Sequence, residues 1–93
     1  MGVLARWLTE YWERGHEEVA LSQWAVTARY APEKADRYLV DLKAVLAEAD
    51  PGKLTEVLAD FGIDLDETGD KSYAAWLTRV LEEFTQVLAD RRP

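Results

Sequence analysis

Residues 72–90 read Ser-Tyr-Ala-Ala-Trp-Leu-Thr-Arg-Val-Leu-Glu-Glu-Phe-Thr-Gln-Val-Leu-Ala-Asp, and this stretch decides the class of fold. Plotted at 100° per residue, Tyr73, Trp76, Leu77, Val80, Leu81, Phe84, Val87 and Leu88 fall within an arc of about 140°. A half-buried strand would alternate apolar and polar side chains. Recurrence at three and four residues instead predicts an amphipathic helix whose apolar face is a core wall. Ser72 or Asp70 can cap its first turn, because either side chain offers an oxygen to the unsatisfied backbone N–H groups there. At the far end Arg91 and Arg92 suit the negative end of the helix dipole, and the terminus is expected to fray.

Upstream, residues 63–71 (Ile-Asp-Leu-Asp-Glu-Thr-Gly-Asp-Lys) are expected to form one extended connection. Gly69 is its turn residue, and Ile63 and Leu65 are available to pin it to the core. Before it, Asp50-Pro51-Gly52 combines an N-cap with a proline at the first helical position. Leu54, Val57, Leu58 and Phe61 then make a short amphipathic helix that Gly62 ends in the left-handed conformation. Pro32 starts another helix, running to about Ala49, with Ala35, Tyr38, Leu39, Leu42, Val45, Leu46 and Ala49 on its apolar stripe.

Residues 17–31 predict a helix with two apolar sides, Leu21, Trp24, Ala25 and Ala28 on one and Val19, Val26 and Tyr30 opposite, separated by the polar strip Glu18, Ser22 and Arg29. Large apolar patches are rarely left open, so it reads as a central helix packed on both sides. Residues 3–14 place Val3, Leu4, Trp7, Leu8, Tyr11 and Trp12 along one side of a first helix, which Gly15 stops. No segment alternates. The expected architecture is therefore all-α: one compact five-helix domain over residues 1–93, without a sheet.

With 48% apolar residues and four tryptophans, the chain has the means to bury a core and is no disordered acidic tail. It has no cysteine, which excludes disulfides, thiolate metal sites and cysteine nucleophiles. No apolar run reaches the roughly 18 residues of a membrane span, and Arg6, Trp7 and Glu10 occupy the place of a signal's apolar segment, so the cytoplasm is expected.

Eleven basic and eighteen acidic residues leave a net charge of -7, which disfavours direct nucleic-acid binding and favours a basic protein partner. The charge is uneven: residues 1–47 contribute -1 and residues 48–93 contribute -6. Asp60, Asp64, Asp66, Glu67 and Asp70 all precede the next base in the chain, Lys71, and so concentrate negative charge on one loop.

Signals of catalysis are missing. The single histidine, His16, sits beside Gly15 at a helix boundary, where it reads as a capping or surface residue. The adjacent pairs Glu17-Glu18 and Glu82-Glu83 point about 100° apart on a helix, so neither converges on one substrate atom, and both read as solvated faces. No phosphate loop, helical His-Glu-x-x-His or nucleophile elbow occurs. Asp64-x-Asp66-x-Thr68-Gly69-Asp70-x-Ser72 matches four positions of a calcium loop. Its twelfth position, which needs a bidentate Glu, is Ala75, and its fifth is Thr. Neither a metal nor a cofactor is expected, and the chain reads as a non-enzyme.

The order of these features resembles the small all-helical immunity proteins of bacterial contact-dependent growth inhibition systems. The resemblance is carried by Leu8 with Tyr11-Trp12, by Pro32, by Leu39 with Leu42 and Leu46, by Leu54 with Leu58, and by Gly62. Its sharpest element is Ser72-Tyr73-Ala74-Ala75-Trp76-Leu77 followed by Val80. It covers nearly the whole chain and departs from the family pattern at Glu13-Arg14-Gly15-His16, where a polar stretch with Asp and an aromatic is usual. It implies a cytoplasmic, non-catalytic inhibitor of a cognate toxin domain, commonly a nuclease.

The charge pattern agrees with this implication. A nuclease cleft attracts polyanions, so an acidic face can occupy it as a charge mimic. The expected partner-binding residues are Asp60, Asp64, Asp66, Glu67 and Asp70, with Tyr73 as an aromatic anchor. The alternative is a helical adaptor or regulatory subunit that docks a partner helix on Val19, Val26 and Tyr30.

Overall fold

The computed structural model describes residues 2–12 and 17–91. Its elements are α1 (Gly2–Tyr11), α2 (Glu17–Tyr30), α3 (Pro32–Glu48), α4 (Pro51–Asp60), α5 (Leu65–Thr68) and α6 (Tyr73–Arg91), with no strand among the described residues. Five are helices of two or more turns and the sixth, α5, is a single turn. None of them is long and apolar enough to cross a membrane.

The longest helix, α6, organises the rest. Trp76, Leu77, Val80, Leu81, Phe84 and Leu88 are buried along one face, with α2, α3, α4 and α5 packed around it and α1 lying across α2 and α3. At the centre Phe84 meets Trp7 edge-on at 5.2 Å, stacks on Trp12 at 5.5 Å and touches Trp24 at 4.7 Å. All four tryptophans are buried. Such rings combine large apolar area with favourable edge and offset geometry. The Trp24 indole N–H donates to the Phe84 carbonyl at 2.8 Å and ties α2 to α6. The Trp7 indole N–H, equally buried, has no hydrogen-bond acceptor among the described residues.

Local chemistry sets the helix ends. Asp50 accepts from the Gly52 N–H at 2.8 Å and Pro51 opens α4. At its other end the Gly62 N–H bonds the Ala59 carbonyl and the Ile63 N–H the Leu58 carbonyl, a Schellman closure. Gly62 takes φ +80 there, a left-handed conformation that a Cβ disfavours. Ile63 and Leu58 are both buried, so the same closure pins the following loop to the core. Of the two candidate caps of α6 the structure uses Ser72, whose hydroxyl accepts from the Ala75 N–H at 3.1 Å.

Two expectations are corrected. The connection at 63–71 is not wholly extended: Asp64 accepts from the Asp66 N–H and Gly69 closes the turn at φ +78, so four residues wind into α5. Nor is α2 packed on both sides. Ala20, Trp24 and Ala28 are buried against α1, α3 and α6, while Val19, Val26 and Tyr30 remain exposed. The predicted stop at Gly15, His16 and the rest of the Glu13–His16 corner lie outside the described residues.

Candidate functional site

The acidic stretch spans the end of α4, the Gly62 closure and α5. Asp60, Asp64, Asp66 and Glu67 are exposed there. Asp64 spends one carboxylate oxygen on its cap at 2.9 Å, while Asp60, Asp66 and Glu67 form no ion pair with the described residues. Beside them lies a cleft of about 100 Å³, with Trp12 and Trp76 among its walls and Phe61, Asp64 and Glu67 at its edge. Negative charge thus borders a small recess of mixed polarity, with Glu17 and Thr68 also in its lining.

Asp70 and Tyr73 are placed differently. The Asp70 side chain is only 11% exposed and accepts two parallel hydrogen bonds from Arg79, both at 3.0 Å. Its charge is answered from inside the fold by a base nine residues on. Tyr73 is half-buried and its hydroxyl donates to the Ile63 carbonyl at 2.9 Å, which fastens the loop to α6.

Arg79 is the centre of a cluster that the linear reading missed. Beyond Asp70, its guanidinium reaches both oxygens of Glu17 at 3.0 and 3.1 Å and those of Glu83 at 3.2 and 3.3 Å. Glu17 and Glu83 are therefore not simply solvated, although their neighbours Glu18 and Glu82 are exposed. The i, i+4 spacing of Arg79 and Glu83 was a usable signal. Glu17, 62 residues away, left none.

The surroundings shift protonation in different directions. Hydrogen bonding from Arg79 holds the Asp70 carboxyl below its ordinary pKa. Burial, helped by the neighbouring Glu17 charge, pushes Glu83 up. Three carboxylates on one guanidinium explain the contrast: the best-paired acid gains and the least well paired is crowded.

A second polar tie joins α1 to α3. Glu10 pairs with Lys34 and accepts from the Tyr38 hydroxyl at 2.6 Å. Burial pushes the Glu10 carboxyl up, but these two partners outweigh it and hold the pKa low. Burial also raises Tyr11, to about 12, where its hydroxyl is hydrogen-bonded to the Thr27 hydroxyl at 2.7 Å.

In the calcium-like segment, Asp64, Asp70 and Ser72 turn their oxygens to a cap, an arginine and a second cap. No three His, Asp or Glu side chains among the described residues converge as a metal cage.

No family model, curated protein or solved structure matches the chain. Function must therefore be argued from surface chemistry. The shifted acids and Tyr11 sit in internal ties of the fold, whereas Asp60, Asp66 and Glu67 are spent on none of them.

Proposed function

We propose that this is a non-catalytic immunity protein of the cytoplasm that binds and neutralises a cognate toxin domain, a nuclease, through the acidic corner of residues 60–67. The observation that carries the reading is the division of labour among the acids. Asp70 is consumed by Arg79, while Asp60, Asp66 and Glu67 stay exposed without a counter-ion in the described fold. Like charges placed so gain nothing for folding, and they gain much against a basic cleft built to hold a phosphate backbone. Asp64 adds its free carboxylate oxygen, and the cleft beside Trp76 offers a recess for one desolvated anchor. Tyr73 supports the corner by holding the loop rather than by offering its hydroxyl.

The uncovered side of α2 favours a second reading, a helical adaptor that docks a partner helix on Val19, Val26 and Tyr30. Co-expression with the product of the adjacent upstream gene separates the two. The immunity reading expects a stable complex, loss of the toxin's nuclease activity and survival of the producing cell. A toxin that remains active in the complex, or a partner that is an enzyme regulated without inhibition, would sink it.

A further inference from the structure

The exposed side of α2 is more regular than scattered surface residues would be. Val19, Val26 and Tyr30 are 40%, 53% and 75% exposed, and Gln23, also exposed, lies between them. Their intervals of four, three and four residues are those of the seam positions of a coiled coil. A single open valine such as Val40 needs no explanation. Four consecutive seam positions left exposed make a packing stripe.

One flank of the stripe carries Glu18, Ser22 and Arg29, all exposed and close together in projection around the helix. Glu18 forms no ion pair with the described residues, and the Arg29 guanidinium lies 5.5 Å from the ring centroid of its neighbour Tyr30. The flank is thus negative toward the start of α2 and positive toward its end.

We infer that this side of α2 docks on the same side of a second copy of the chain, the two helices running antiparallel about a two-fold axis. An isologous contact sets a surface against its own reverse. Antiparallel pairing keeps this flank of both copies on one side of the seam and brings Glu18 of each copy to Arg29 of the other, while parallel pairing puts the two flanks on opposite sides, where these charges do not meet. Placing Val19 opposite Tyr30 and Gln23 opposite Val26 leaves Glu18 and the facing Arg29 about 3 Å apart along the axis. The two Gln23 side chains are then offset by about 4.5 Å, within reach of each other across the axis.

This reversal symmetry of charge selects a second copy over an arbitrary partner helix. The stripe is small beside the ~800 Å² per partner of a standard interface. Two chains of -7 also repel, so the dimer is weak and concentration-dependent. None of its residues belongs to the 60–67 corner.

Sedimentation of the full chain from about 10 µM to about 1 mM tests it, since weak dimers dissociate in this range. The average mass should rise from one chain toward two. Glu18→Arg and Arg29→Glu should each raise the dissociation constant about fivefold, and the double exchange should restore it, because the pairs re-form with signs reversed. Tyr30→Ser, at an exposed position that leaves folding intact by circular dichroism, should weaken association as well. A monomer at the highest concentration overturns the inference. So does a double exchange weaker than either single change, or a dimer indifferent to Tyr30→Ser.

Discussion

Arg79 shows how one side chain changes the meaning of an acidic run. Asp70, the last acid of the run in sequence, becomes a structural ligand because Arg79, nine residues on in α6, bonds it and is shared with Glu17 on α2. Asp70→Asn should therefore cost about 1–2 kcal/mol in urea unfolding, the scale of charge-assisted bonds discounted for partial exposure of the arginine. Asp66→Asn, with no partner to lose, should stay within about 0.5 kcal/mol. Equal effects at the two positions would contradict this division of roles.

The same cluster has a pH signature of two signs. Asp70, held low when folded, contributes stability that is present above its unfolded pKa and is lost as pH falls through the folded one. Glu83, held high, does the reverse: its ionisation is resisted in the fold, so stability declines as pH rises past the ordinary glutamate range. Glu83→Gln should accordingly lose no stability at neutral pH and flatten the melting temperature from the ordinary glutamate pKa upward. A variant less stable than the parent across that window would show that the bond to Arg79 outweighs the crowding.

At the scale of elements, ends are decided by single residues and faces by neighbours. Gly62→Ala should destabilise by about 1 kcal/mol through its positive φ alone, since the space a Cβ would occupy is empty. Ser72→Ala should cost a similar ~1 kcal/mol by removing the cap of α6. Thermal melts that leave both unchanged would mean these closures form without their special residues. These features were legible in advance because caps and periodicity are local: Asp50-Pro51, Gly62 and the 73–88 stripe each carry their own signal.

What escaped the sequence was whatever depends on tertiary placement. The single turn α5 is shorter than any periodicity can register. The apolar side of α2 gives its spacing but not whether anything covers it, and Val26 is open for want of a neighbour rather than for want of hydrophobicity. The Glu17–Arg79 pair exists only once α2 lies on α6. Of the acidic run, the sequence shows that Asp60, Asp64, Asp66, Glu67 and Asp70 are close together, but not that Asp70 and Tyr73 face inward bonds.

For the whole molecule, stability and recognition are drawn from different residues, and that separation can be measured. The core is a single hydrophobic cluster with its aromatic rings gathered around Phe84, so Leu81→Asp, which buries an unpaired charge in the same wall, should unfold the protein. The corner at 60–67 has no share in that cluster apart from Ile63 and the partly buried Phe61 and Leu65. Combined Asp64→Lys and Asp66→Lys should therefore leave a folded protein, with only the Asp64 cap of α5 lost. Under the immunity reading the same pair of changes should slow association with the toxin domain and remove much of its dependence on salt, because steering by a negative face is what they reverse. Any carboxylate that becomes buried against a toxin arginine or lysine should cost roughly 2–5 kcal/mol of binding when truncated, and this loss should appear as faster dissociation. Val19, Val26 and Tyr30 changed together to serine serve as the control, since they alter an exposed side of α2 and none of these charges. Stopped-flow association across a salt series decides between the faces. If the serine variant abolishes binding in a still-folded protein while the lysine variant binds and protects cells as before, recognition belongs to α2 and the acidic corner is only a solvated surface.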